Sequence, residues 1–193
     1  MIAIISITVQ VMLTGALHED GLSDTADGFG GGRTRENALV IMKDSRIGTY
    51  GALALILSIA LRIAALSILI AALPPLAAGL SWLAAAVLSR TLMVWHWSSL
   101  PPARADGVAA SAGAPDTDAT RTALLLGGAI TLILSLAALP FHAWFLATAI
   151  SLSGVAVFTR HCRKRIGGHT GDTIGASQQV CESAFLATLA MFV

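Results

Sequence analysis

Long apolar runs separated by polar segments constrain the fold of this chain more than any other feature. A membrane helix needs about 20 predominantly apolar residues. Only 12% of the residues are charged, against about 25% in soluble domains. We therefore predict one all-α domain over residues 1–193, an integral membrane bundle of about six transmembrane helices, the first of them short for a complete span. The predicted spans are Met1–Leu13, Tyr50–Leu73, Leu76–Leu100, Thr122–Leu139, Phe141–Thr159 and Ile174–Val193.

The joints between these runs alternate between two kinds, and the alternation predicts the topology. Two joints are tight turns marked by proline, at Pro74-Pro75 and at Pro140. If the helices run up and down, both proline turns lie at one side and the remaining joints lie at the other. These remaining joints are the long polar loops Thr14–Thr49, Pro101–Arg121 and Arg160–Thr173.

The distribution of basic residues predicts which side the loops occupy. All lysines and arginines except Arg62 and Arg90 lie in the three polar loops, so the positive-inside rule predicts that the loops are cytoplasmic. A net charge of +1, with its basic residues divided among separate loops, argues against nucleic-acid binding. The two exceptions fall inside apolar runs, where a charged side chain usually faces a partner or a water-filled cavity.

Four carboxylates within nine residues are the strongest candidates for a functional site. On a helix, Asp20, Asp24 and Asp27 stand at i, i+4 and i+7 and share one face, with Glu19 beside them. Asp44 follows a glycine-rich break that allows the chain to fold back. Crowded carboxylates require a positive partner, and Mg²⁺ prefers carboxylates together with phosphate oxygens and water. We therefore predict Mg²⁺ as a cofactor, bound by Asp20, Asp24, Asp27 and Asp44. A merely solvated acidic loop is the alternative, but such loops rarely space acids by helical turns without lysine among them.

A second candidate site precedes the last apolar run, within Gly167–Ala176. Glycines that lead into a helix N-terminus can present backbone N–H groups to an anion, and Asp172 or Thr173 is a candidate helix cap. The simpler alternative is a tight connector with an ordinary cap. One turn apart on the following helix, Gln178 and Glu182 share a face, and an acid so deep in an apolar run is itself a functional candidate.

Several blocks of the sequence follow one another in an order that is typical of a known family. The segments Gly15–Gly28 (GALHEDGLSDTADG) and Ile41–Gly51 (IMKDSRIGTYG) are the most specific. Arg90, Pro101–Gly107 and Gly168–Glu182 follow in order. Together they resemble the cobalamin synthase family, the adenosylcobinamide-GDP ribazoletransferases, over almost the whole chain.

The resemblance implies a Mg²⁺-dependent enzyme of the bacterial inner membrane, in contact with its lipids. Such an enzyme joins adenosylcobinamide-GDP to α-ribazole, or to its 5′-phosphate, and releases GMP. Family members also carry a further N-terminal helix ahead of the segment that begins here at Met1. The sequence leaves the oligomeric state open.

In this interpretation the metal binds the pyrophosphate of adenosylcobinamide-GDP. Glu19 or Asp27 acts as the base toward the attacking hydroxyl of α-ribazole. Basic side chains and the glycine-rich N-terminus of the last helix are expected to contact phosphate. The predicted phosphate-binding residues are Lys43, Arg46, Arg90, Arg104, Gly171 and Asp172.

Two other functions remain open from the residues alone. Asp24-x-x-Asp27-Gly28 is similar to the start of the CDP-alcohol phosphotransferase motif, although the rest of that motif is missing. A cation channel or transporter could use the acids as its pathway. Transporters tend to show repeats and broken helices at the bilayer midplane, whereas these acids gather near one side.

Overall fold

The computed structural model describes the backbone of residues 1–193 and every side chain except that of Val108. Its elements confirm the all-α prediction. In chain order they are α1 (Ile2–Leu13), α2 (Leu17–Gly31), α3 (Arg35–Ile41), α4 (Thr49–Ala72), α5 (Pro75–Ser98), α6 (Val108–Ala112), α7 (Thr117–Leu136), α8 (Phe141–Ile166) and α9 (Gly171–Ala190).

Four of the described helices, α4, α5, α7 and α8, are long and apolar enough to cross a membrane. The helices α1 and α2 reach that standard only as a pair, and they are bent by 87° at the break between them. The break includes Gly15 and Ala16, both at positive φ. The structure therefore gives four spans, or up to five, where the sequence predicted about six. The difference arises because α1 has only 12 residues and because α9 carries several polar side chains.

The prolines stand where the sequence predicted the tight turns. Pro74 is the N-cap of α5, and Pro140 is the N-cap of α8. Helix α8 continues beyond the predicted boundary at Thr159, so its basic residues occupy the last turns of a helix rather than a loop. Positive charges there interact favourably with the carbonyl end of the helix.

The three polar loops meet at one end of the bundle, as the alternation of joints predicted. Arg35 of the first loop donates to the backbone oxygens of Ala103, at 2.6 Å, and of Ile166, at 2.8 Å. The second and third loops are joined by backbone hydrogen bonds, from His169 to Pro101 and from Ala103 to His169. Any chemistry of the loops therefore takes place at a single end of the molecule.

Helix α9 lies at the centre of the bundle and contacts α2, α4, α5 and α8. The fully buried Phe185, Leu186 and Leu189 belong to its apolar half. Near its N-terminus, α9 packs closely against α2, because residue 21 of α2 is a glycine without a side chain. A Cβ atom at Gly21 would stand 2.6 Å from the backbone oxygen of Asp172. This contact places the first turn of α9 directly against the acidic face of α2.

We expect Gly21→Ala to destabilise the protein, because neither backbone can yield and overpacking of a tight contact costs about 1–3 kcal/mol. The melting temperature of the purified protein in detergent should fall by several degrees. Gly128→Ala in α7 is the matched control, since a Cβ there meets no described atom within 4 Å. An unchanged melting temperature in Gly21→Ala would contradict the close packing of α2 on α9.

Candidate functional site

A fully buried arginine joins three helices below the polar end of the bundle. The side chain of Arg62, in α4, is 0% exposed. Its Nη2 donates to Oε1 of Glu19 in α2 at 2.9 Å, and its Nη1 donates to Oε1 of Glu182 in α9 at 3.3 Å. The sequence left open whether this arginine has a partner, and the structure supplies two carboxylates.

Amide side chains add hydrogen bonds to both carboxylates. Gln10 of α1 donates to both oxygens of Glu182 at 2.8 Å, and Gln178 donates to Glu182 as well. Gln179 donates to Oε1 of Glu19 at 3.0 Å. Buried carboxylates are stable only when they are paired and hydrogen-bonded, and here α1 and α9 supply these bonds.

Two residues that were predicted to take part in chemistry contact this network: Glu19, which is buried, and Arg90, whose side chain is 36% exposed. Glu19, the predicted base, is 6% exposed, and its Oε1 already accepts from Arg62 and Gln179. Arg90, a predicted phosphate contact, has its Nη1 4.0 Å from Glu182 and donates to the backbone oxygen of Ala86. These contacts engage both side chains within the bundle, and their predicted roles in chemistry stay predictions.

The acidic face predicted for residues 20–27 lies on α2, and its members have different surroundings. Asp27 is buried, and its carboxylate accepts from the backbone N–H groups of Gly48, at 2.7 Å, and Gly51, at 2.9 Å. These donors belong to the N-terminus of α4, where orphan N–H groups favour a carboxylate. Asp27 thus ties α2 to α4, while Asp20 is exposed and Asp24 is partly exposed.

The charges of the α3–α4 loop are paired within that loop or with the second polar loop, and not with the acidic face. Arg46 donates to the Asp44 carboxylate through Nε, at 3.0 Å, and through Nη2, at 2.6 Å. These bonds lower the pKa of Asp44 to about 2, so the group stays ionised. Lys43 pairs with Asp106. The predicted set of four metal-binding aspartates therefore does not converge, and no group of three or more His, Cys, Asp or Glu among the described residues is arranged to hold a metal ion by itself.

A cavity of about 410 Å³ lies between α2, the end of α5, the second loop and the start of α9. Asp20, Arg104 and Asp172 are among the residues that line it. Arg104 donates to Oδ2 of Asp172 at 3.3 Å, and Thr170 donates to the same oxygen at 3.1 Å. Asp106 also lines the cavity, so among the described residues three lining carboxylates stand against the one lining guanidinium of Arg104. The cavity thus collects more negative than positive charge.

The N-terminus of α9 differs from the prediction in its cap. Thr170 is the N-cap, and it forms a reciprocal capping box with Thr173, whereas Asp172 or Thr173 was expected to cap. Asp172 points its charge at Arg104 instead. A carboxylate repels a phosphate, so Asp172 belongs with the acids of the cavity rather than with the predicted phosphate contacts. Gly171 lines the cavity, as a phosphate contact requires.

Sequence reasoning missed two residues that line this cavity, Trp97 and His169. Trp97 belongs to the predicted span Leu76–Leu100, and it lies at the cavity end of α5. His169 was given no role, although it stands inside the glycine-rich block. A histidine between glycines at a helix start is the signal that could have identified it.

Comparison with known proteins points to one family. The family described as cobalamin-5-phosphate synthase matches residues 1–190. A relative from Rhizobium meliloti (strain 1021), named adenosylcobinamide-GDP ribazoletransferase, is 57% identical over 192 residues, which cover 99% of this chain and 73% of the relative. Relatives of the same name occur in Sinorhizobium medicae (strain WSM419), at 55% identity with the same coverage, and in Azorhizobium caulinodans, at 47% identity over 95% of this chain and 69% of the relative. No solved structure shows a significant match.

We expect Glu182→Gln to destabilise the fold strongly. The substitution removes the negative charge that pairs with Arg62. It also places an amide N–H₂ group where Gln10 and Gln178 now donate to a carboxylate oxygen. Breaking a buried ion pair costs about 3–5 kcal/mol, so thermal unfolding in detergent should begin at a clearly lower temperature. Glu36→Gln is the control, because Glu36 is 75% exposed and its ion pair with Arg35 is long, at 3.9 Å. A Glu182→Gln protein as stable as wild type would show that the network does not hold the bundle.

Proposed function

The chain belongs to the cobalamin-5-phosphate synthase family, and from this we propose that it joins adenosylcobinamide-GDP to α-ribazole, or to its 5′-phosphate, with release of GMP. The names of the relatives support this transfer, and the acidic cavity is the structural observation that carries it. A site for phosphoryl-type transfer must neutralise charge and align the reactants. The cavity offers carboxylates on one wall and Arg104 beside them. The family match over residues 1–190 leaves the phosphotransferase and channel alternatives without support.

We also propose Mg²⁺ as the cofactor, with Asp20 and Asp24 as its protein ligands and Asp172 at its side. The donor set fits, because all three side chains offer the hard oxygen atoms that this ion prefers. Mg²⁺ is usually bound by one or two carboxylates, and substrate phosphates and water complete its shell. A cluster of three protein ligands is therefore not required. When bound, the ion supplies neutralisation of the charge on the pyrophosphate and on the leaving GMP.

The side chains of the cavity then act on the two substrates. Arg104 has an Nη1 group without a hydrogen-bond partner among the described residues, and this group is proposed to orient a phosphate oxygen. A ribose hydroxyl of α-ribazole attacks the phosphorus on the cobinamide side, the bond from that phosphorus to the oxygen of GMP breaks, and the hydroxyl proton passes to a carboxylate of the cavity. Asp27 and Glu19 hold α2 so that Asp20 lines the cavity, with Asp24 one helical turn further along the same face.

Lys43, Arg46 and Asp44 are proposed to act near the mouth of the site rather than in it. Lys43 is paired with Asp106, which lines the cavity, while Asp44 and Arg46 neutralise each other. Residues 1–193 are proposed to work as one catalytic unit of the bacterial inner membrane. Because the basic residues gather at the loop end, we propose that the cavity opens toward the cytoplasm.

We expect Asp24→Asn to reduce GMP release by about 100-fold or more, since even the loss of a group that only supports a metal ligand costs 10–100-fold. GMP release from adenosylcobinamide-GDP and α-ribazole should be measured against Mg²⁺ concentration in reconstituted vesicles. Wild type should lose activity in a chelator and regain it with Mg²⁺. Asp118→Asn, at an exposed position of α7, should retain wild-type rates. Full activity in Asp24→Asn would exclude the proposed ligand, and full activity in the chelator would exclude the ion.

A further inference from the structure

Three residues around the cavity have buried polar atoms without a hydrogen-bond partner among the described residues. His169 is 2% exposed, and neither of its ring nitrogens has a hydrogen-bond partner among the described residues. The same holds for the buried Nε1 of Trp97 and the buried Nη1 of Arg104. All three residues line the same cavity. Buried polar groups are nearly always paired in folded proteins, so this grouping indicates a site for a ligand that supplies the missing partners.

Part of the cavity lining is apolar. Met93, Ala110 and Ile174 form this part, together with the indole ring of Trp97. Small-molecule sites typically combine such apolar surface with a few polar groups that fix the orientation of the ligand. The cavity therefore suits a molecule with a flat apolar part and with oxygen atoms at its other end.

Size and polarity select among the groups that the proposed reaction brings together. A volume of about 410 Å³ accommodates a nucleoside or its monophosphate but not a corrinoid ring. A guanine base carries donors and acceptors along its edge, which side chains such as Met93, Ala110 and Ile174 cannot satisfy. A benzimidazole base has almost no such groups and loses little when it leaves water for an apolar wall.

We propose that this cavity is the binding site of the acceptor substrate, a nucleoside with an apolar aromatic base, namely α-ribazole or its 5′-phosphate. The inference rests on the proposed function. The base lies against Met93 and Trp97, with its one unsubstituted ring nitrogen accepting from Nε1 of Trp97, and the ribose and its phosphate lie toward His169 and Arg104. In its neutral form the imidazole of His169 offers one donor and one acceptor. It can therefore donate to the oxygen of a ribose hydroxyl or accept the hydrogen of that hydroxyl. His169 and Trp97 are thus residues that position the acceptor.

The test measures the binding of α-ribazole to the purified chain by equilibrium dialysis, without the second substrate. Trp97→Phe keeps an aromatic wall but removes the N–H donor, and His169→Ala removes both ring nitrogens. Each variant should bind α-ribazole about tenfold more weakly, while the KM for adenosylcobinamide-GDP stays within about twofold. His169→Gln, which restores a donor and an acceptor, should recover part of the affinity.

The chain offers matched controls near its opposite end. Trp144 also has a buried Nε1 without a partner among the described residues, and it lies in the first turn of α8 beside His142. Trp144→Phe and His142→Ala should leave α-ribazole binding unchanged. A cooperative thermal unfolding transition shows that a variant is folded. If His169→Ala does not fold, the binding of α-ribazole to Trp97→Phe provides the test.

Two results would overturn the inference. Unchanged α-ribazole affinity in folded Trp97→Phe and His169→Ala proteins would show that the acceptor binds elsewhere. A rise in the KM for adenosylcobinamide-GDP with unchanged α-ribazole affinity would assign the cavity to the guanosine end of the donor. Failure of the proposed function is a separate observation, since it would appear as no GMP release from wild type with both substrates present.

Discussion

The buried charge of Arg62 is the constraint on which the rest of the structure depends. A guanidinium inside a membrane bundle is stable only with partners at close range, and its partners here come from two other helices, Glu19 of α2 and Glu182 of α9. Adjacent residues of a helix are separated by 100°. When Glu19 is held against Arg62, the neighbouring Asp20 is turned toward the cavity. The ion pair therefore sets the rotation of the acidic helix.

Two other contacts set the position of that helix along the bundle. At one end, Asp27 accepts from the backbone at the start of α4. Near the other end, Gly21 lets the backbone of α2 touch the backbone at Asp172. These contacts bring carboxylates of two distant sequence segments to one cavity. The sequence shows the acids of α2 as a cluster, but only the fold adds Asp172 to it.

Features that depend on local periodicity were predicted well from the sequence. The apolar runs of α4, α5, α7 and α8 and the helical spacing of Asp20, Asp24 and Asp27 are examples. Each of these follows from residues within a few turns of one another, so a pattern in the sequence is sufficient to reveal them.

Features that depend on partners distant in sequence were not predicted. Ile174–Val193 has the composition of a span, yet α9 is a core helix. Its Glu182 accepts from Arg62, and its Gln178 donates to Glu182. Glu19 has the type and position of a catalytic acid, and its contacts give it a structural role. In each case the nearest opposite charge in space decided the role of the side chain.

A double-mutant cycle between Glu19 and Arg62 tests the central role of this ion pair most directly. The free energy of unfolding is measured for Glu19→Gln, for Arg62→Met and for the combined variant, in the same detergent. If the two charges hold each other inside the bundle, the combined variant is more stable than the sum of the single effects by at least about 1 kcal/mol. Additive effects would mean that the pair is not coupled and that the orientation of α2 has another cause.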